Sequence, residues 1–294
     1  MSEYSLAIPI SVSEIKLFIS NQLAWYYTYV KKRIPIRFEL ALEVGQFWHT
    51  LMEAFYTQGR SKQAASVAAM EWLSKHPASD DHHPKSREFI AECTTLLHLF
   101  ESNWTDPCPE AETLSVETPI AMALGEYTLI GKPDRVIKYV DKWWHMQHRS
   151  LSGRTNLDLY FETAQNDLHE LVYSWLCQHH FGISFEQWGG TLFNVIRKPS
   201  TKSYDAESMI VRAFIPITKP NIYRALGEIE QVLKDMEDIR SGIRVPIQNR
   251  ELDRGRFGNS RSPYFPVTMG TASLDDPLLF TDTIDRYADI PDGD

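Results

Sequence analysis

The sequence is short of cysteine, of long apolar runs and of positive charge. Its 294 residues include only three cysteines, far apart along the chain, so neither a disulfide framework nor a compact Cys-x-x-Cys metal site is expected: Cys93, Cys108 and Cys177. No stretch approaches the roughly 18 consecutive apolar residues of a membrane span, and the first ten residues lack the basic start and apolar run of a signal peptide. These absences predict a soluble, cytoplasmic protein with no membrane partner.

Charge and motif content exclude further classes. With 30 Lys and Arg against 39 Asp and Glu, the formal charge is -9, so the chain as a whole does not attract a polyanion. Basic residues do cluster locally, although each cluster taken alone is more typical of solvated surface charge: Lys31 to Arg33, Arg197 to Lys202 and Arg240 to Arg261. No Walker loop, GxGxxG or GxSxG motif is present, which leaves nucleotide-cofactor and serine-hydrolase functions unsupported.

The order of periodic segments predicts an α/β protein. Apolar residues at helical spacing predict four helices in the first hundred residues: Ser13–Lys31, Leu42–Tyr56, Lys62–Ser74 and Ser86–Asn103. Short β-rich runs then predict a meander: Leu114–Met122, Tyr127–Ile130, Arg135–Val140 and Trp143–Gln147. A long helix, two strands and another helix are expected to follow: Asp158–His180, Thr191–Ile196, Met209–Ile215 and Asn221–Ser241. We expect a mixed central sheet flanked by helices, with a helical N-terminal cap.

No stretch has the composition of an interdomain linker, so we predict a single domain over residues 1–294. It would comprise a helical part over 1–105, a meander, helix and strand core with its following helix over 110–241, and a loop-rich segment with an acidic tail over 242–294.

Polar residues collect on one predicted strand and just before another. In the strand WWHMQHRS, residues two apart share a face, so His145, Gln147 and Arg149 point together. Antiparallel pairing with the preceding strand would bring Asp134 near that polar face. This arrangement resembles the PD-(D/E)XK nuclease superfamily, in which an acidic residue precedes a strand carrying an acid and a lysine.

The resemblance extends over most of the chain. Within the superfamily, the sequence is similar to the RecB, AddB and CRISPR-associated exonuclease branch. ALEVGQFWHTLMEAFYTQG resembles the branch's Gly-x-x-x-His helix, with Gly45 and His49 in the motif positions. AQNDLHELVYSWL resembles its Gln-x-x-x-Tyr helix, with His169 in the Gln place and Tyr173 kept. The resemblance implies the restriction-endonuclease-like fold. If the protein is active, it also implies a Mg²⁺ or Mn²⁺ site at His49 and Asp134, and Glu117 is a candidate further ligand.

Two positions depart from the implied chemistry. QHRS stands where the family has EHKT, so Gln147 replaces the acid and Arg149 replaces the lysine. An amide oxygen is a poorer Mg²⁺ ligand than a carboxylate, and a guanidinium suits phosphate binding better than water activation. The degenerate set of Asp134, Gln147 and Arg149 therefore predicts that metal affinity collapses, that no cofactor is bound unless the protein is active, and that cleavage is impaired.

The iron–sulfur members of the branch have one cysteine in the opening helix and three near the C-terminus. Here Asn21, the stretch NRELDRGR, Ser262 and Thr268 stand at those places. We predict no iron–sulfur cluster, and we expect packing or hydrogen bonds to hold the opening helix and the C-terminal segment together.

Simpler structural roles stay open for the candidate residues. On a helix rich in aromatic residues, His49 could be a hydrogen-bonded core histidine, and Asp134 after a proline could cap a turn. Glu117 is equally well explained as an exposed strand residue.

Three functions fit the sequence. The first is a catalytically impaired nuclease homologue that binds DNA or RNA, or a nucleoprotein complex, through four phosphate contacts: Arg135, Arg149, Arg197 and Lys198. The second is an active metal-dependent DNA exonuclease or endonuclease. The third is a non-catalytic scaffold subunit that binds a protein partner.

Overall fold

A computed structural model describes residues 8–36, 38–79, 84–198, 209–247 and 262–283. The strands, in chain order, are β1 Ile8–Ser11, β2 Arg33–Pro35, β3 Glu112–Val116, β4 Ile120–Leu124, β5 Tyr127–Gly131, β6 Arg135–Tyr139, β7 Lys142–Ser152, β8 Trp188–Lys198, β9 Ile210–Pro216 and β10 Phe280–Asp282. The α-helices are α1 Val12–Ser20, α2 Gln22–Trp25, α3 Leu40–Thr57, α4 Lys62–Lys75, α5 Ser86–Ser102, α6 Leu157–Ala164, α7 Leu168–His180, α8 Lys219–Arg240 and α9 Phe265–Thr268. A π-helical turn at Tyr26–Val30 and 3₁₀ turns at Pro77–Ser79 and Phe185–Gln187 complete the set. The mixed α/β architecture confirms the predicted fold class.

Two helices predicted as continuous are each interrupted by a capping residue. The predicted Asp158–His180 helix is α6 followed by α7, and Asp167 caps α7 by accepting the His169 backbone N–H at 2.8 Å. In the same way Asn21 ends α1 and caps α2, its Oδ1 accepting the Ala24 N–H at 2.9 Å. In both places the apolar residues keep their helical spacing across the break. That spacing does not reveal a single residue whose side chain accepts a backbone N–H and so ends one helix and begins the next.

The strands depart from prediction in three places. The predicted run Leu114–Met122 is two strands, β3 and β4, and the segment between them contains Glu117. The short strands β1 and β2 lie within the first hundred residues, which the sequence predicted as helical. Strands of three or four residues have too few alternations to be recognised by a period of two.

The described chain divides into two compact units. One comprises residues 38–120 and 132–219; the other comprises residues up to 37, 121–131 and from 220 onward. These boundaries cut across the sequence divisions at 105 and 242. The single domain stays a prediction, and each unit is considered by itself.

The larger unit is built on a five-stranded mixed sheet in the order β3-β6-β7-β8-β9. Only the central pair, β7 and β8, is parallel, with Gln147 opposite Phe193 and Arg149 opposite Val195. The other three pairs are antiparallel. β8 is buried along most of its length, as expected for a central strand covered on both faces. At its start Gly189 lies directly against the Trp144 ring, which leaves no room for a Cβ atom.

Helices cover both faces of this sheet. On one face α3, α4 and α5 form an apolar core around Phe47, Trp48, Phe100 and Trp104. On the other face Phe193 packs against Tyr160 and Phe161 of α6, and α7 lies alongside. The alternation of β7 therefore sends His148 toward α3 and Gln147 toward α7, as the sequence predicted.

The smaller unit joins the opening helices to the C-terminal segment. It contains a three-stranded sheet in the order β1-β5-β4 and a β10–β2 pair. Tyr264 lies 2.7 Å from the Thr28 hydroxyl and donates to the Arg33 carbonyl at 2.8 Å, while Arg33 pairs with Asp282 at 2.7 Å. The expectation that packing and hydrogen bonds join these segments is confirmed. NRELDRGR and most of the acidic tail lie outside the described residues.

None of the helices in the described ranges combines the length and the apolar character that crossing a lipid bilayer requires.

Candidate metal and phosphate site

Three potential metal ligands meet in the larger unit. His49 comes from the middle of α3, Glu117 follows β3 and Asp134 precedes β6. His49 Nδ1 lies 3.5 Å from Asp134 Oδ2 and 3.7 Å from Glu117 Oε1, and one ligand atom from each residue falls within 4.8 Å of the others. Within the described ranges, no other group of three His, Cys, Asp or Glu side chains meets this criterion. We call these residues the cation cluster.

Backbone contacts fix the Asp134 carboxylate and the main chain of Glu117. The backbone N–H of His148, on β7, donates to Asp134 Oδ2 at 2.7 Å. The backbone N–H of Glu117 donates to the Asp134 carbonyl at 3.1 Å, and Glu117 has a φ of +47°. Positive φ is unfavourable for a residue with a long side chain, so the surrounding hydrogen bonds hold Glu117 in a strained conformation.

Charge in the cation cluster is only partly balanced. Burial lowers the pKa of His49, but Asp134 and Glu117 outweigh it and raise that pKa above its ordinary value. Burial raises the pKa of Asp134, although His49 and Arg149 oppose the shift. A buried carboxylate with a raised pKa lacks sufficient positive charge nearby, which a bound cation would supply.

The two degenerate positions face α7 and contact its first turn. The Gln147 amide nitrogen lies 3.0 Å from His169 Nδ1, while the amide oxygen is buried without a hydrogen-bond partner among the described residues. Arg149 Nη2 lies 4.0 Å from Glu170 Oε1, and His169 Nδ1 lies 3.2 Å from the same oxygen. Gln147, Arg149, His169 and Glu170 form what we call the paired cluster.

Glu170 is the site residue that the sequence reasoning missed. It is 3% exposed, and its Oε2 accepts a hydrogen bond from Thr191 at 2.9 Å. Burial raises its pKa, but the hydrogen bond and charge of His169, with His145 and Arg149, outweigh that and lower the pKa to about 2. Helical spacing could have found it, because Glu170 shares the buried face of α7 with Ser174 and Cys177.

Tyr173 has a positioning contact. Its hydroxyl accepts the backbone N–H of Lys132 at 3.1 Å and lies 3.5 Å from the carbonyl oxygen of the same residue. The Tyr173 ring stacks with His169, with centroids 4.2 Å apart, and with His145, with centroids 5.0 Å apart. Burial lowers the pKa of His145 to about 3, so that ring is neutral. Tyr173 therefore orients the backbone two residues before Asp134.

The expectation that Arg135 contacts phosphate is wrong. Its side chain is fully buried, with its guanidinium 3.9 Å from the Tyr56 ring centroid and 3.8 Å from Asp106. Two of its nitrogens also donate to Thr113 Oγ1, at 2.5 and 3.1 Å. As the neighbour of Asp134, Arg135 points to the opposite face of the sheet, where it stabilises the α3 side.

The other expected phosphate contacts already have partners within the chain. Lys198 pairs with Glu92 at 2.7 Å, and Arg197 donates to the carbonyls of Gly153 and Thr155. By contrast Arg149 lies beside the cation cluster and keeps about a third of its side chain exposed. Of the four predicted contacts, Arg149 is the one whose charge lowers the pKa of Asp134 and of His49.

The sequence matches the family model of the PD-(D/E)XK nuclease superfamily over residues 9–252. The chain belongs to this superfamily. That match includes both the cation cluster and the paired cluster.

One solved structure supports the fold. The crystal structure of "Putative exonuclease" from Eubacterium rectale has a TM-score of 0.56, with 12% identity over 87% of this chain and 89% of that chain. At that identity the likeness shows the fold alone. A second structure, SSO0001, is 14% identical over 81% of this chain and 87% of that chain, but its TM-score of 0.27 carries no argument. No curated protein matches the sequence.

The residues present fit a divalent cation. One imidazole and two carboxylates are suitable ligands for Mn²⁺ and, through the oxygens, for Mg²⁺. The cation cluster is therefore a donor set of the right chemistry for a divalent cation.

Proposed function

We propose that this protein is a PD-(D/E)XK homologue that holds a divalent cation at His49, Glu117 and Asp134 and binds nucleic-acid backbone beside it, with impaired cleavage. The observation that carries the proposal is the convergence of three ligand atoms within 4.8 Å, from three separate elements. When bound, the cation would polarise a phosphate oxygen and promote ionisation of a water molecule.

The paired cluster supports the impairment. Gln147 stands where the family has an acid, and its neutral amide contacts His169. Arg149 stands where the family has a lysine, and its guanidinium group faces Glu170. An arginine stays protonated at any physiological pH and therefore cannot accept a proton from water. Arg149 can still donate hydrogen bonds to a phosphate oxygen, which supports binding.

A second candidate is an active metal-dependent nuclease, and the intact cation cluster favours it. The remaining alternative is a non-catalytic scaffold that binds a protein partner. Cytoplasmic location stays part of the proposal, and the three free, buried cysteines are compatible with it.

The deciding experiment measures Mn²⁺ binding by isothermal titration calorimetry, in wild type and Asp134→Ala. We expect one Mn²⁺ per chain in wild type. The variant should lose at least roughly 100-fold in affinity, since even partners outside the ligand sphere contribute 10- to 100-fold. Asp141→Ala, in the exposed turn between β6 and β7, is the matched control and should leave binding unchanged.

A fluorescence anisotropy titration with single- and double-stranded DNA oligonucleotides tests the second half of the proposal. Affinity should fall steeply with salt, because phosphate contacts release counterions. Absence of both Mn²⁺ and oligonucleotide binding would leave the scaffold function. Efficient Mg²⁺-dependent cleavage, lost in Asp134→Ala, would establish the active nuclease instead.

A further inference from the structure

Lys132 places an amine against the cation cluster, and no motif had singled it out. Its Nζ lies 3.0 Å from Glu117 Oε2, while the other carboxylate oxygen, Oε1, lies 3.7 Å from His49. The Lys132 side chain is 50% exposed, whereas that of Glu117 is 10% exposed. One end of the ion pair is therefore fixed within the protein and the other can reach solvent.

The backbone of Lys132 is held although its side chain is exposed. The Tyr173 hydroxyl contacts both the N–H and the carbonyl of Lys132, and the next residue is Pro133, whose φ is fixed by its ring. Four methylene groups separate this anchored backbone from the ammonium group. The amine can therefore move by side-chain rotation without moving Asp134.

A cation and the Lys132 ammonium cannot share Glu117 without cost. Both carry positive charge, and a metal ion on Glu117 and Asp134 would lie within a few ångströms of Nζ at its present position. Repulsion between like charges at that distance is strong where water is partly excluded. Cation binding would therefore release the amine from Glu117, at the point where a phosphate would approach.

Arg149 does not remove the need for this amine. Its guanidinium faces Glu170, and it lies on the α7 side of the sheet. Lys132 contacts Glu117 instead, so the two positive groups come from different elements and pair with different acids.

Building on the proposed function, we infer that Lys132 is a cation-dependent phosphate contact. Without metal its ammonium group neutralises Glu117; with metal it turns to a non-bridging oxygen of the nucleic-acid backbone. Lys132 thus acts on the metal as a competitor and on the nucleic acid as a ligand, so its removal should change the two affinities in opposite directions.

The test uses Lys132→Met, which keeps the length of the side chain and removes its charge. Mn²⁺ affinity, measured by calorimetry without nucleic acid, should rise about threefold to tenfold because the competing ammonium group is gone. Oligonucleotide affinity in the presence of Mn²⁺, measured by anisotropy, should fall about fivefold to tenfold. Without metal the variant and wild type should bind the oligonucleotide alike.

Two further variants make the result specific. Lys138→Met removes an exposed lysine of β6 and should change neither affinity. Lys132→Arg keeps the charge and should retain oligonucleotide binding. Thermal melting of each variant confirms folding.

The outcomes separate this inference from the proposed function. If wild type binds neither Mn²⁺ nor the oligonucleotide, both fail. If wild type binds both and Lys132→Met lowers the two affinities together, Lys132 is only a support for Glu117, and this inference alone is overturned. An unchanged Lys132→Met variant overturns it as well.

Discussion

The cation cluster and the paired cluster lie in the same unit and balance their charges differently. In the cation cluster two carboxylates share one histidine and one exposed lysine, and the pKa of Asp134 is raised. In the paired cluster Glu170 has Arg149, His169 and Thr191 around it, and its pKa is lowered to about 2. The carboxylates of the cation cluster are not fully neutralised by nearby positive charge, whereas Glu170 in the paired cluster is neutralised by residues of the protein.

This difference changes the meaning of the two degenerate positions. From the sequence, Gln147 looked like a simple loss of negative charge beside the metal. The structure places the buried acid Glu170 on the neighbouring helix, where it faces Arg149. Glu170 and Arg149 are thus engaged with each other, while His49, Glu117 and Asp134 lie together in the cation cluster.

The largest expected effect comes from restoring the family residues in the paired cluster. Gln147→Glu with Arg149→Lys should raise Mn²⁺-dependent DNA cleavage about 100-fold above wild type, because a positioned acid–base group typically contributes that much. A gel assay with a labelled duplex measures the gain. The same pair of changes in an Asp134→Ala background is the control and should give no cleavage.

If the restored variant binds Mn²⁺ and DNA but gains no cleavage, the difference between the clusters does not explain the impairment. If wild type already cleaves as well as the restored variant, the impairment itself is wrong.

The two buried acids should affect stability with opposite signs. Glu170→Gln should lower the free energy of unfolding at pH 7 by roughly 3 kcal/mol, because it leaves Arg149 and His169 without their anion. Asp134→Asn should raise it by about 1 kcal/mol, since it removes an under-compensated charge from a functional site. Urea denaturation measures both, and a destabilised Asp134→Asn variant would contradict the comparison.

The pH dependence follows from the same shifts. The pKa of Glu170 is lowered from 4.5, so its contribution to stability is present above that pH and is lost as pH falls toward about 2. The pKa of Asp134 is raised from 3.8, so its ionisation destabilises the fold as pH rises above that value. Wild type should therefore lose more stability between pH 5 and pH 3 than Glu170→Gln does.

The smallest expected effect concerns the basic residues outside both clusters. Lys198→Ala should change oligonucleotide affinity less than about twofold, because its ammonium group is paired with Glu92. Arg149→Ala should weaken affinity about fivefold to tenfold and reduce the salt dependence by about one counterion. Anisotropy titrations at two salt concentrations measure the oligonucleotide affinity of both variants. Equal losses of affinity in the two variants would show that binding is not centred on the clusters.

Much of the fold was predictable because it depends on local periodicity. The alternation of WWHMQHRS placed Gln147 and Arg149 on one face, and the apolar spacing of α3 placed His49 correctly within its helix. The break before α7 had a signal that was overlooked: Asp167 followed three residues later by Glu170 is a capping pattern.

The site was less predictable because its contacts join residues that are distant in sequence. Glu170 approaches Arg149 only when α7 packs on β7, and Lys132 reaches Glu117 only when the segments after β3 and before β6 lie side by side. The error at Arg135 has a different cause. Strand alternation already placed it on the face opposite Asp134, but its charge was given more weight than its position.

Glu117 occupies a backbone conformation that glycine or asparagine would adopt at lower energy, and such left-handed geometry costs on the order of 1 to 3 kcal/mol. Replacing it with glycine would relieve the backbone and also remove a carboxylate that repels its neighbour. The same exchange would remove the contacts of the Glu117 carboxylate with Lys132 at 3.0 Å and with His49 at 3.7 Å. A strained backbone thus accompanies the placement of an anion beside His49 and Asp134.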